Sequence, residues 1–383
     1  MRLFTRFYSL FLISSLLIQA SAFDIDNLWY YALIIGSFVS IITELTSSVH
    51  PKINIPITIL IIVSSLSLIV SGAIPLFRPW QRLLGFVLLL LTFSNFMPYL
   101  RPLKCEMFHC FKFLLFLFIL ISFILGVMGI QLNVGRRDFC GLANHSMMLA
   151  PLASVATILA FDGIFQKKGL LVVNWILFLV SLFTVFLAAS RIAIAGLAFG
   201  LISYFFAAKD VKHLWKYLIA FVLLVTIIIV ANPYGVADNF INKISDRDIN
   251  DLDSITSDRW TMIQDRIREF KESPIFGTGF AQMKYLKLSK VDISSGVTES
   301  GSSWIYLLSS IGLLGLLSFL IILVDSLRAA YIDNKNKVVF AIIVFFLVHM
   351  SVEGYLFAVG SSLCAIFWFF IGLSQFTEDD LAQ

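Results

Sequence analysis

The side chains best suited to chemistry lie in a polar stretch, residues 232–302, between two strongly hydrophobic parts of the chain. Arg259 and Arg266 are seven residues apart, which places them on one row of a helix. Guanidinium groups keep their charge and offer a planar fork of donors that suits phosphate and carboxylate. The spacing therefore predicts a row of cations that can hold an anionic substrate. The alternative is that both arginines pair with acids of the same segment: Asp258, Asp265 and Glu269.

The residues around these arginines predict a helix over residues 257–272. Ser257 can cap its first turn, and Pro274 follows its end. Apolar side chains recur along it at helical spacing: Trp260, Ile263, Ile267 and Phe270. We expect this helix to lie on a membrane surface, with the apolar stripe towards the membrane and the arginine row towards a polar cleft.

Two further features follow the helix within the polar stretch. The turn Pro274-Ile-Phe-Gly-Thr-Gly-Phe280 is expected to redirect the chain towards the next hydrophobic segment, because glycine permits positive φ. Glu299 stands just before that segment, at a membrane boundary where partial burial makes a carboxylate more basic. The alternative for Glu299 is a carboxylate that stabilises the helix start through the helix dipole.

The rest of the chain is hydrophobic enough to be embedded in a membrane. Of 383 residues, 59% are hydrophobic and 14% charged, whereas soluble domains have about 25% charged residues. Apolar runs of about 20 residues, the length that crosses a bilayer, recur along the chain. The sequence predicts an all-α, polytopic membrane protein with twelve spans, or eleven if the first is not one. They are placed at 7–23, 28–46, 53–74, 82–100, 111–131, 143–161, 170–189, 191–208, 214–231, 302–324, 337–353 and 355–374.

This placement divides the chain into three parts. Residues 1–231 form an N-terminal bundle of about nine helices, 232–301 form the large polar loop, and 302–383 hold the last three helices and a short tail. The first hydrophobic run, which follows Arg6 and ends at Ala20-Ser21-Ala22, also has the form of a secretory signal. We prefer a first membrane helix there, because many spans follow.

The four cysteines lack the spacing of a zinc site and are expected to form no disulfide. They are Cys105, Cys110, Cys140 and Cys364. A structural role in packing is the simplest prediction for all four.

Lysine and arginine in the short loops predict the orientation. With the N-terminus inside, most of these cations fall on the cytoplasmic side, so the polar stretch faces outward. The outer short loops hold only arginines: Arg78, Arg82, Arg136, Arg137 and Arg191. Positive charge on the outer side opposes the topological preference, which indicates a role in substrate binding. Anchoring to lipid headgroups is the alternative.

Two of the outer residues open predicted spans. Arg191 follows a tight turn at residues 188–191, and a charge at that depth needs a partner or a wet cavity. His145, in Gly141-Leu-Ala-Asn-His-Ser, is either a substrate contact or a hydrogen-bonded interfacial residue. Asp162, Asp325 and Glu353 lie at span ends. No predicted charge pair lies in mid-membrane, which argues against a proton-coupled carrier.

Four local patterns resemble the O-antigen ligase and O-antigen polymerase superfamily of bacterial membrane glycosyltransferases. In chain order they are Gly141-Leu-Ala-Asn-His-Ser; Ser190-Arg191; Asp258-Arg259-Trp260 leading through Phe270 to Pro274-Ile-Phe-Gly-Thr-Gly-Phe280; and the span with Gly312-Leu-Leu-Gly315. Their order and the large outer loop before the last spans are also similar. The first 130 residues share only their hydrophobicity with the family.

The resemblance implies an inverting transfer, without metal or other cofactor, on the outer face of the bacterial inner membrane. The implied donor is a saccharide on undecaprenyl diphosphate, and the acceptor is a sugar hydroxyl. Ligases of this family have an outer histidine just before the last glycine-bearing span. Counting back from Gly312, that position is Gly301 here, followed by Ser302. The absence of this histidine favours a polymerase that joins repeat units.

On this interpretation the arginines offset the charge that grows on a diphosphate leaving group. Arg191 and Arg259 bind the diphosphate, Arg266 assists, and Glu299 takes the proton of the acceptor hydroxyl. Further substrate contacts are expected from Arg136, Arg137 and His145. The expected partners are the lipid-linked oligosaccharide and membrane lipid, with a chain-length regulator as a further candidate. No basic patch alternates with aromatic residues, so nucleic acid is not an expected partner.

Two other functions stay open. The first is a ligase that attaches finished glycan to lipid A core or to protein. The second is a flippase for lipid-linked oligosaccharide or another transporter. Transporter folds usually show internal repeats and midplane binding residues, and the sequence shows no repeat.

Overall fold

The computed structural model describes residues 2–23, 25, 27–45, 54–96, 101–132, 139–208, 259–285, 301–333 and 336–382. The regular elements within these ranges are helices, apart from an isolated bridge between Ser21 and Ala143. In chain order they are α1 (Arg2–Ala20), α2 (Leu28–Leu45), α3 (Ile55–Ser71), α4 (Pro79–Phe93), α5 (Arg101–Val127), α6 (Ser146–Phe165), α7 (Leu171–Leu187), α8 (Arg191–Ala208), α9 (Arg259–Glu272), α10 (Ser303–Arg328), α11 (Lys337–His349), α12 (Ser362–Leu373) and α13 (Glu378–Ala382). A 3₁₀ turn at Pro75–Phe77 precedes α4, and a π-helical turn at Ala329–Asp333 follows α10.

The predicted class, a helical membrane protein, is confirmed. Five helical segments in the described ranges are long and apolar enough to cross a membrane: Pro75–Phe93, Leu103–Val127, Ser146–Phe165, Arg191–Ala208 and Ser303–Ile332. Six further apolar helices are shorter: Phe4–Ala20, Leu28–Thr43, Ile55–Ser71, Leu171–Leu187, Lys337–His349 and Ser362–Leu373. The count of twelve spans and the loop before the last three stay predictions, since the predicted ninth span, 214–231, lies outside the described residues. The four cysteines form no disulfide.

Helices α8 and α11 pack against each other through glycines. The position of a Cβ at Gly196 would lie 3.0 Å from the Phe345 ring, and at Gly200 3.2 Å from the carbonyl oxygen of Ala341. Residue numbers rise along α8 while they fall along α11, so the two helices are antiparallel. Continuing this register places Arg191, at the start of α8, level with the end of α11 at His349. Small residues allow such close backbone approach between helices in membranes.

Helix α6 runs parallel to α8, so both begin at the same end of the bundle. Ile158 of α6 reaches Gly200 of α8, and one turn further along the hydroxyl of Tyr204 donates to Asp162 over 2.8 Å. The starts of α6 and α8 and the end of α11 therefore share one end of the bundle, which we call the site end. The end of α1 lies there too, because the Asn144 N–H donates to the Ala20 carbonyl over 3.0 Å.

Helix α10 is broken at Gly312, whose backbone has φ 65° and ψ −164°. In an unbroken helix the N–H groups of Leu313 and Leu314 would donate to the carbonyls of Ser309 and Ser310. Here they donate to Pro274 (2.8 Å) and Ile275 (3.4 Å) instead. The two serine carbonyls at the break must then find other donors.

Residues 274–279, which follow α9, complete this exchange. The Thr278 N–H donates to the Ser309 carbonyl (2.8 Å) and the Gly279 N–H to the Ser310 carbonyl (3.0 Å). Helix α3 adds a side-chain bond, from Ser67 Oγ to the Ser310 carbonyl over 2.8 Å. We call this contact between residues 274–279 and the break in α10 the Gly312 joint.

Two glycines make the Gly312 joint sterically possible. A Cβ at Gly277, where φ is 72°, would lie 2.4 Å from the Ser310 carbonyl group, and a Cβ at Gly312 would lie 2.2 Å from the Ile275 oxygen. No side chain fits at such distances from backbone atoms. The predicted glycine turn and the glycines of the next span, two separate patterns in the sequence, are therefore partners in one contact.

A methyl group at Gly312 is expected to destabilise the protein by about 1–3 kcal/mol more than one at Gly72. Gly72 is the matched control, because its φ of 77° and ψ of 158° fall in the same glycine region but nothing lies within 4 Å of the added Cβ. Both Gly312→Ala and Gly72→Ala carry the cost of this backbone conformation, and only the first adds a clash. Thermal unfolding of the two purified variants in detergent measures the difference. Equal losses would show that the close approach at Gly312 does not matter.

Candidate functional site

Arg191 is positioned by the tight turn between α7 and α8, as the sequence predicts. Helix α7 ends at Leu187, and the Ala189 N–H donates back to the Phe186 carbonyl over 2.9 Å. Ala189 has φ 49°, a left-handed conformation that costs an alanine about 1 kcal/mol or more. This turn reverses the chain within three residues and starts α8 with an exposed arginine at the site end.

His145 caps the start of α6. Its Nδ1 accepts the N–H of Met147 over 3.0 Å, and the ring is half-buried. A neutral imidazole that accepts through Nδ1 carries its proton on Nε2. The structure therefore gives His145 the hydrogen-bonded, interfacial position that the sequence left as one alternative, at the same end as Arg191.

Helix α9 turns Arg266 and Glu269 towards the protein, and its outer face carries both apolar and charged residues. Arg266 and Glu269 are 3% and 0% exposed, whereas Trp260 and Ile267 are both 39% exposed. The arginine row thus faces inward, but Arg266 pairs with Glu269, which is the alternative that the sequence left open. The outer face is mixed and not a continuous apolar stripe, because the Arg268 side chain is 65% exposed on it.

Arg259, at the start of α9, forms an ion pair with Glu353. Its Nη2 lies 2.6 Å from Oε1 of Glu353, and the two side chains are only 13% and 14% exposed. Its Nη2 also lies 4.0 Å from Sδ of Met147, two residues beyond His145. A charge-assisted hydrogen bond at this degree of burial is stronger than a pair on the surface. The pair joins three elements of the site end: the start of α9, the start of α6 and the chain after α11.

Glu353 lies in a loop, not at the end of a helix. The sequence placed a span at 337–353 and the next from 355, but α11 ends at His349 and α12 begins at Ser362. The physical reason is a clamp by Ser303, the first residue of α10. Its Oγ and N–H both donate to the Glu353 carbonyl, over 2.6 and 3.2 Å, and its Oγ accepts the Tyr355 N–H over 3.1 Å. These bonds hold the residues around Glu353 in a loop, outside both helices, and fix the backbone that carries the Glu353 carboxylate.

Sequence reasoning did not select Glu353 as a functional residue. The sequence feature that could have identified Glu353 is a lone carboxylate at the boundary of an apolar segment, which is also the feature that pointed to Glu299. The pairing itself joins residues 94 positions apart, so no local pattern contains it.

The structure does not bring Arg266 to the Arg259–Glu353 pair. Nη1 of Arg266 lies 3.0 Å from Oε2 of Glu269 on the same helix, and its Nη2 donates to the Tyr285 carbonyl. Glu269 accepts the N–H groups of Lys284 and Tyr285 over 2.6 and 2.9 Å. The chain after the Gly312 joint is therefore tied back to α9 by this buried pair.

Burial shifts the pKa of both members of the Arg266–Glu269 pair. It raises the pKa of the Glu269 carboxyl, an effect that Arg266 and the two backbone N–H groups partly offset. It lowers the pKa of Arg266, which the Glu269 charge partly offsets. Each partner thus depends on the other to stay charged inside the protein.

Several predicted site residues lie outside the described part of the chain. They are Glu299, Arg136 and Arg137. Within the ranges that the structure describes, no group of three His, Cys, Asp or Glu side chains is arranged to hold a metal ion.

A cavity of about 290 Å³ opens beside Asn144, the neighbour of His145. Its walls come from the end of α1 and the start of α2, including Gln19 and Trp29. Both side chains are held by the loop before α12: Gln19 Nε2 donates to Gly360 (3.1 Å) and Trp29 Nε1 to Val359 (2.8 Å). Amide, hydroxyl and aromatic groups around one space suit a ligand with many hydroxyl groups.

Fold and site together define a helical membrane protein with arginines and a paired carboxylate gathered at one end of its bundle. Residues 176–320, from within α7 to within α10, match the family model described as O-antigen ligase. This match confirms the resemblance to the O-antigen ligase and polymerase superfamily, whose members are membrane enzymes of the glycosyltransferase type. The matched segment contains Arg191, Arg259 and Gly312, while His145 and Glu353 lie outside it. No curated protein matches the chain.

Removal of Arg266 is expected to leave Glu269 as a buried carboxylate without its cation. Arg266→Met should lower the free energy of unfolding by about 3–5 kcal/mol. Adding Glu269→Gln should recover part of this loss, because glutamine is neutral and its oxygen can still accept the two backbone N–H groups.

The loss in Arg266→Met is also expected to depend on pH. The pKa of Glu269, raised by burial, rises further once the cation is gone. Between the ordinary carboxyl pKa and this raised pKa, the native state binds more protons than the unfolded state, so stability falls as pH rises. The deficit should therefore shrink as pH is lowered through that window. Thermal unfolding across pH tests this, and a deficit that changes neither with pH nor with Glu269→Gln contradicts it.

Proposed function

We propose that the protein is a polysaccharide polymerase, which transfers glycan from undecaprenyl diphosphate to a sugar hydroxyl of another repeat unit. The transfer is inverting and metal-independent, and takes place on the periplasmic face of the bacterial inner membrane. One observation carries most of the argument. Arg191 and Arg259, both inside the segment that matches the family, lie at the same end of the bundle.

The leaving group explains the need for arginines. A diphosphate gains negative charge as its bond to the sugar breaks, and preorganised cations that face this charge stabilise the transition state. Arg191 and Arg259 hold the diphosphate. Arg266 contributes by holding α9 and the residues after it, because its guanidinium is buried against Glu269 and Tyr285.

The saccharide occupies the space next to the arginines. His145 contacts it through its Nε2 side, and the cavity beside Asn144 accepts part of the glycan. Arg136 and Arg137 follow α5 in the sequence and supply further contacts to the substrate. The sequence assigns the hydroxyl proton to Glu299.

Gly301 supports a polymerase over a ligase. At the position where ligases of the family have a histidine, the chain has a glycine with φ 76°. A side chain there would be strained by the positive φ, although its Cβ would make only an ordinary contact, 3.7 Å from Met262 of α9. The second candidate is a ligase acting on lipid A core or protein, and the description of the matching family favours it. A flippase is the third.

Arg191→Ala and Arg259→Ala are each expected to lower the polymerisation rate by about 10²–10³-fold, because each removes a cation from the leaving group. Arg268→Ala is the matched control. It removes an arginine from the same helix as Arg259, but one that is 65% exposed and faces Glu272. Gel electrophoresis of the polysaccharide from complemented deletion strains measures chain length. Normal long chains in both site variants would end the assignment.

The same deletion strain separates polymerase from ligase. Loss of a polymerase leaves glycan that is one repeat unit long, whereas loss of a ligase leaves long chains on the lipid carrier. We expect the first result. Accumulated lipid-linked polymer would establish the ligase instead, and loss of any periplasmic lipid-linked unit would indicate the flippase.

Cysteine labelling tests the proposed side of the membrane. After replacement of the four native cysteines, Gln264→Cys places a thiol on the exposed side of α9, and Lys168→Cys places one at the opposite end of the bundle. A membrane-impermeant maleimide, given to cells with a permeabilised outer membrane, should label Gln264→Cys and spare Lys168→Cys until the inner membrane is broken. The reverse pattern would place the arginines in the cytosol and exclude the proposed reaction.

A further inference from the structure

The Arg259–Glu353 pair indicates which group takes the proton from the acceptor. We propose that Glu353, and not Glu299, is the general base that removes the proton of the attacking sugar hydroxyl. This inference rests on the proposed transfer reaction and adds to it a catalytic residue outside the segment that matches the family.

The first argument is distance. Inverting transfer at a sugar carbon places the base and the leaving group on opposite faces. In inverting glycosidases the two carboxyl groups that act on these faces are about 6.5–9.5 Å apart. A guanidinium that bonds a carboxylate at one edge and a phosphate at the other separates their oxygens by a similar length. Oε1 of Glu353 lies 2.6 Å from Nη2 of Arg259. A diphosphate on Arg259 therefore brings the reacting carbon close to the Glu353 carboxylate.

The second argument is rigidity. A catalytic base must be held within hydrogen-bonding reach of the hydroxyl. The Glu353 carbonyl receives two hydrogen bonds from Ser303, and the loop after it returns a third to the Ser303 hydroxyl. The carboxylate thus extends from a fixed backbone, and its 14% exposure leaves an approach for a substrate.

Other titratable groups at the site end are less suited to this role. His349 is fully buried, and its Nδ1 lies 3.1 Å from the Tyr355 hydroxyl. A side chain without exposed surface cannot touch the acceptor. His145 uses Nδ1, the nitrogen that would accept a proton, to cap α6. Among these three side chains, Glu353 alone combines a proton-accepting atom with a position beside the cation assigned to the diphosphate.

The reaction can then be written so that atoms and charges balance. The hydroxyl proton passes to a carboxylate oxygen of Glu353, and the hydroxyl oxygen bonds to the anomeric carbon of the donor. The bond from that carbon to the diphosphate breaks, and its electron pair leaves with the diphosphate. Once protonated, Glu353 no longer balances the charge of Arg259. The full charge of Arg259 then acts on the leaving group at the moment when the negative charge there is largest, which is stabilisation specific to the transition state.

Azide provides a test that separates a base from a residue that only positions Arg259. Azide is an anionic nucleophile and needs no base, but it still needs an activated diphosphate. The full-length protein is reconstituted in lipid vesicles with its lipid-diphosphate-linked repeat unit. Glu353→Ala should lose polymerisation by about 10²–10⁴-fold. With azide it should release lipid diphosphate and form a glycosyl azide of inverted configuration.

Matched variants define the outcomes. Arg259→Ala should form no glycosyl azide, because the leaving group lacks its cation. Glu353→Gln, which keeps the size of the side chain and an oxygen that can accept from Arg259, should stay folded, keep the donor KM and lose kcat. If Glu353→Ala does not fold, Glu353→Gln alone tests whether Glu353 is the general base.

Three results would overturn the assignment of Glu353. They are normal polymerisation by Glu353→Gln, no azide product from a folded Glu353→Ala, and azide rescue of Glu299→Ala in its place. If the unaltered protein itself releases no lipid diphosphate from the donor, the proposed function fails, and this result is distinct from the other three.

Discussion

An exchange of backbone hydrogen bonds at Gly312 fixes the helix that carries the candidate site residue Arg259. A helix that breaks inside a membrane protein leaves N–H and carbonyl groups that lipid cannot satisfy. In α10 these groups bond to residues 274–279, and two glycines allow the backbones to come close enough. Since those residues directly follow α9, the joint fixes the end of α9 and thereby the position of Arg259 at its start. A contact made by backbone groups thus helps to position a candidate site residue.

Helix α9 uses two ion pairs for different purposes. The Arg266–Glu269 pair is sealed inside the protein, where the carboxylate also accepts two backbone N–H groups. A buried pair of this kind contributes little net stability and is costly to break, so it acts as a fixed structural link. The Arg259–Glu353 pair lies at the rim, partly exposed, where a ligand can compete for either partner. Burial, more than charge, distinguishes the structural arginine from the one that a ligand can reach.

Local patterns in the sequence predicted the features that depend on near neighbours. The end of α9 at Glu272, the inward row of Arg259 and Arg266, and the turn before Arg191 all follow from periodicity, a proline and the crowding of two apolar runs. The partners of these residues could not be predicted in the same way. The contact of Gly277 with α10 and the pairing of Arg259 with Glu353 join distant parts of the chain, and only the packing of the helices decides them. The loop around Glu353 was missed because its apolar residues suggest that one span follows the other almost directly, whereas the hydrogen bonds of Ser303 hold residues of the loop outside both helices.

Both members of the Arg259–Glu353 pair are connected to helix α10 through hydrogen bonds, which limits how far they can move apart. From Arg259 the chain runs through α9 to the Gly312 joint on α10, and from the first residue of α10 the Ser303 clamp returns to Glu353. The ion pair therefore closes a ring of covalent and hydrogen bonds. When a ligand separates the two side chains, the rest of the ring keeps them a short distance apart. The gap can open and close without refolding either segment, so little binding energy is lost in rearranging the protein from one catalytic cycle to the next.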